Sequence, residues 1–96
     1  MHSNTKYAIA LDVAGALQKW VDRMRGAGKR LAVEKEGQEN AVRRTERKCA
    51  ELLQDRPHGG YHVFWDDDEK AVCVVFDIED GGAYRAWLHK GEHNAV

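Results

Sequence analysis

Proline occurs once and cysteine twice in the 96 residues. With the lone Pro57 and a modest glycine content, the chain does not read as linker-rich. Cys49 and Cys73 are too few for a disulfide framework, and both fall at apolar positions. They are expected as reduced thiols in a core. Long apolar runs are missing as well: Ala71 to Phe76 is the longest, and a membrane helix needs about 20 such residues. The opening MHSNTKYAIALDVAG has no basic region followed by a sustained apolar block, so no signal peptide is expected. These absences favour a cytoplasmic protein that does not engage a membrane. Internal repeats and low-complexity blocks are also absent. Gly26-Ala27-Gly28-Lys29 does not follow a strand, so it is not a phosphate loop.

What is present suits one folded unit. Hydrophobic residues make up 43% and charged residues 32%, the balance of a globular chain. That length holds one core, so residues 1–96 are expected as a single α+β domain. The net charge of −1 conceals a split. Residues 1–56 carry twelve basic and eight acidic side chains, and residues 57–96 carry three and eight. A basic helical half and an acidic sheet half follow. This pattern bears on association more than on fold.

The densest apolar sequence is YHVFWDDDEKAVCVVFDI, Tyr61 to Ile78. It predicts strands over 61–65 and 71–78 around a charged turn. Alternation puts Tyr61, Val63 and Trp65 on one face, and His62 and Phe64 on the other. Val72, Val74, Phe76 and Ile78 share a face; Ala71, Cys73 and Val75 share its opposite. Both faces are apolar, whereas a solvated hairpin shows one polar face. Something must therefore cover each side.

Ahead of the hairpin, residues 5–25 predict an amphipathic helix capped by Asn4 or Thr5. Ile9, Val13, Leu17, Trp20, Val21 and Met24 form its stripe, and Leu11 lies outside it. Gly26 or Gly28 can end it. A second helix spans 39–55, with a start at 29 in one reading; the other reading makes residues 30–34 a short third strand. Val42, Thr45, Cys49 and Leu52 form its stripe, flanked by Ala41 and Leu53, and Pro57 stops it. The two helices are expected to pack as an antiparallel pair on one hairpin face. Beyond the hairpin, Asp80-Gly81-Gly82-AYRAWLHK predicts a short helix over 82–90, capped by Asp80, lying across the other face.

No residue pattern indicates catalysis or a cofactor, and a non-enzymatic protein is expected. Surplus aromatic residues beside an acidic turn instead suggest protein binding. Phe64, Trp65, Asp66, Asp67, Asp68, Glu69, Tyr84 and Trp87 are the candidate contact residues, since Trp and Tyr dominate interface energetics. The acidic run lacks EF-hand spacing; it can serve as a negative prong for a basic cleft or only as a solvated turn. A second copy of the chain, giving a homodimer, or another protein fits as partner. Regulator, adaptor and inhibitor are roles compatible with this reading. Phage or mobile-element origin accords with the small size alone.

Two alternatives stand beside it. Arg43, Arg44, Arg47 and Lys48 give the second helix a basic face that can meet nucleic-acid phosphates. Glu46, Glu51 and Asp55 interrupt that face, and no nucleic-acid motif accompanies it. His58 with His62, and His89 with His93, have a spacing that can supply zinc ligands. Pro57, Gly59, Gly60 and Gly91 interrupt any helix that would align them.

Overall fold

The computed structural model describes residues 5–26, 37–88 and 92–95. In chain order these form α1 (Thr5–Gly26), α2 (Gln38–Leu53), β1 (Tyr61–Asp66) and β2 (Ala71–Asp77). A single 3₁₀ turn (Glu79–Gly81), β3 (Ala83–Trp87) and β4 (Glu92–Ala95) follow. The strands form one antiparallel sheet in the order β1-β2-β3-β4. The chain is thus a small α+β domain. The segment over 30–34, read as strand or helix, lies outside the described residues, as do Asn4 and Gly28.

Both helices bury their apolar stripes against the same sheet face. Ile9, Val13, Leu17 and Val21 of α1 recur at four-residue steps, and all are buried. In α2 the buried set is Ala41, Thr45, Cys49 and Leu53. This is the expected face, centred on Thr45 and Cys49; the flanking Ala41 and Leu53 are its more deeply buried members, and Val42 and Leu52 pack at the core's margin. Thr45 satisfies its buried hydroxyl by donating to the Ala41 carbonyl one turn back, at 2.9 Å. From the sheet come Val63, Val72, Val74, Phe76, Tyr84, Ala86 and Leu88. Arg56, just beyond α2, donates to Asp12 of α1 at 2.8 Å, which ties the second helix's end back to the first helix.

The expected helix over 82–90 is not formed: Ala83–Trp87 is a strand. Asp80 and Gly81 have φ of 64° and 77°. Two successive left-handed residues reverse the chain instead of capping a helix. AYRAW then pairs with β2, from Asp77↔Ala83 to Cys73↔Trp87. The i, i+4 pairs that suggested a helix are equally an alternation: Tyr84 and Ala86 are buried, while Ala83, Arg85 and Trp87 are half-buried. Such a short helix nucleates poorly. The second edge of β2 meanwhile carries backbone groups that need partners. The sheet edge decides between the two.

Remote contacts set the ends of the elements. The α1 amides of Lys6 and Tyr7 donate to the Glu79 carboxylate at 2.7 and 3.3 Å. A residue from the β2–β3 turn therefore serves the helix N-terminus. Desolvation pushes the Glu79 pKa up, but these backbone donors outweigh it and leave the carboxyl below its ordinary value. At the entry to β1, a Cβ on Gly59 would lie 2.5 Å from the Asp77 carbonyl oxygen. Only glycine permits that close approach.

Candidate functional site: the open face of the sheet

The second sheet face follows from the register. Phe64 of β1, Cys73 of β2 and Trp87 of β3 stand side by side in one row. His62, Val75 and Arg85 form the next. Among the described residues, no helix or strand lies over these rows. The core cluster contains every buried apolar residue except Ala71 and Cys73, and both of those belong to this second face.

Chemically, the face is an apolar row bordered by charge. Phe64 and Trp87 are half-buried, and the His62 and Phe64 rings stack at 5.3 Å. The Trp87 Nε1 donates to Asp66 Oδ2 at 2.9 Å. Asp66 Oδ1 accepts the amides of Asp68 and Glu69 at 2.9 and 3.1 Å. The Trp87 indole first, then the Glu69 amide, holds the Asp66 carboxyl below its ordinary range. One carboxylate thereby shapes the acidic turn and fixes the indole on the open face. Burial pushes the Cys73 thiol up to about 11, against the opposing charge of Arg85. Burial alone pushes Cys49, on α2, up to about 12. Both thiols are protonated at neutral pH, which removes the thiolate that reactivity needs.

The candidate contact residues divide between the two faces. Phe64 and Trp87 come together on the open side. Tyr84 does not join them: it is 3% exposed, in the core under α1, with its ring 5.9 Å from Tyr7. Trp65 also faces the helices, at the core's margin. Asp66 is engaged as described, so the prong that remains is Asp67 and Asp68, both exposed. Arg85, Val75 and Cys73 are the members that sequence reasoning did not assign. Alternation had placed Cys73 and Val75 on this face. Only recognition of AYRAW as a strand brings Arg85 beside them.

The two alternatives look as follows. On α2, Arg43 pairs with Glu39 at 3.1 Å and Lys48 with Glu51 at 3.4 Å. Arg47 is exposed, and Arg44 is half-buried with interactions of its own. The basic face is therefore laced with acids. His58 Nδ1 donates to the Gly59 carbonyl at 2.6 Å, and His62 stacks on Phe64. Among the described residues, no three His, Cys, Asp or Glu side chains gather as a metal site. The side chains of His89 and His93 lie outside them. No described helix is long and apolar enough to cross a membrane.

Compared with protein-family models, curated proteins and solved structures, the chain matches none.

Proposed function

We propose that the chain is a non-enzymatic protein-binding module and that the open sheet face is its docking surface. The supporting observation is the row Phe64–Cys73–Trp87, apolar and without a described covering layer. Sheets buried on one side usually turn polar residues outward; this one turns out a phenylalanine, a valine and a tryptophan. An indole oriented by Asp66 loses little freedom on binding, which favours affinity. The protein acts by occupying a partner's surface, as a regulator, adaptor or inhibitor does. Two buried, reduced thiols suit a cytoplasmic setting.

The test replaces Phe64, because Trp87 also donates to Asp66, the residue that shapes the turn. Tagged wild-type protein is used to recover a partner, and the complex is rebuilt from purified components. Binding is expected to fall by at least about tenfold with Phe64→Glu, measured where the melting curve shows the variant to be folded. A rebuilt complex indifferent to Phe64→Glu overturns the docking surface. Recovery of nucleic acid in place of protein, lost with Arg43→Glu and Arg47→Glu, replaces this reading with the α2 one.

A further inference from the structure

We infer that β1 is a self-pairing edge, through which two copies of the chain join their sheets antiparallel about a two-fold axis near Val63. The surface is distinct from the open face, and the inference does not need that reading. Among the described residues, β1 is an outer strand of the sheet. It pairs with β2 without interruption from Tyr61↔Phe76 to Asp66↔Ala71, so it contains no bulge. It contains no proline and no lysine either. Those are the devices that normally blunt an edge.

The parity of the ladder says which groups are free. The Asp77 amide donates to the Gly60 carbonyl at 2.8 Å, so Gly60, and by alternation His62 and Phe64, point their backbone groups toward β2. Tyr61, Val63 and Trp65 point theirs outward. Among the described residues, nothing pairs with them. Two such edges set antiparallel about Val63 place Tyr61 opposite Trp65 of the second copy, and the reverse, forming about six backbone hydrogen bonds.

Charge selects a second copy, and the antiparallel direction. The exit of β1 carries the exposed acids Asp67 and Asp68. Its entry carries exposed His58 and the exposed Lys6 side chain, 3.2 Å from where a Gly59 Cβ would stand. It also carries the Asp77 carboxylate, 2.8 Å from where a Gly60 Cβ would stand, and Glu79, which accepts the Lys6 amide. With the axis at Val63, Asp67 faces Gly59 of the other copy and Asp68 faces His58. Each exit's two acids thus meet, twice per dimer, an entry of mixed charge that includes the Lys6 ammonium. A parallel arrangement would set acid beside acid.

Light scattering and sedimentation over a concentration series, with amide exchange at both extremes, test this. A reversible dimer is expected, weakened by salt, whose Tyr61, Val63 and Trp65 amides gain protection as concentration rises. Asp67→Lys with Asp68→Lys should weaken it by about tenfold. Adding His58→Lys to the wild-type chain should strengthen it, and adding His58→Glu to the Asp67→Lys, Asp68→Lys chain should restore part of it. All three positions are exposed, and an unchanged melting curve verifies folding. Three results overturn the inference. One is a monomer throughout, including one whose three amides are protected at every concentration, which would mean that the chain's own residues cover the edge. Another is a dimer whose three amides do not respond to concentration. The last is a dimer indifferent to charge reversal.

Discussion

Gly15 and Gly59 show how far one residue's surroundings can reverse the same substitution. Gly15 lies inside α1, and a Cβ there would meet nothing within 4 Å. Gly15→Ala should stabilise the protein by about 0.5–1 kcal/mol, since glycine in a helix loses more backbone entropy on folding. Gly59→Ala should destabilise it by about 1–3 kcal/mol, because the methyl would overlap a sheet carbonyl that cannot turn aside. Denaturant melts of the two variants beside the wild type check both signs. A sequence pattern sees the two glycines alike. The space around each differs because one sits on a helix flank and the other beneath the last residue of β2.

Among the elements, the helix N-terminus and the hairpin turn are each organised by a carboxylate that accepts backbone amides. Glu79 serves α1 from the opposite end of the sequence, and Asp66 serves the β1–β2 turn together with Trp87. Both pKa values lie below the unfolded ones, 4.5 and 3.8. Their contribution to stability is therefore complete above those values, and it is lost as the pH falls through the folded pKa values. Unfolding free energy should decline below about pH 4 in the wild type. The double variant Asp66→Asn, Glu79→Gln should be less stable at pH 7 and show a shallower acid decline. An equally steep decline in that variant would assign the acid sensitivity to other groups. The α1 cap shows why local capping rules saw only Asn4 or Thr5: its acceptor is brought by the fold.

The described residues form a helical layer on a sheet, with none of their helices on the sheet's outer side. Each layer contributes one buried thiol: Cys49 inside the core, and Cys73 beneath Phe64, Trp87 and Arg85. With pKa values near 12 and 11, neither thiol ionises appreciably at pH 8. Native protein should react with an aromatic disulfide reagent about two orders of magnitude more slowly than an exposed cysteine. It should take up two equivalents once denatured. Rapid modification of one thiol in the native state would show that the row around Cys73 opens. Slow modification that a bound partner slows further would mark the open face as covered in the complex.

Periodicity alone determined much of this protein. The spacing of Ile9, Val13, Leu17 and Val21 defines α1, and the alternation around Asp66–Lys70 defines the hairpin and its two apolar faces. These are local signals, because the core selects side chains at 3.6- or two-residue intervals. The tertiary structure alone decided what became of AYRAW. Five residues satisfy a short helix and a strand equally well, and the unpaired edge of β2 chose the strand. That choice buried Tyr84, turned Trp87 and Arg85 outward, and withheld the helix that would have covered the second face. The open face therefore arises from where the backbone hydrogen bonds of β2 were satisfied, a long-range requirement that no local pattern encodes.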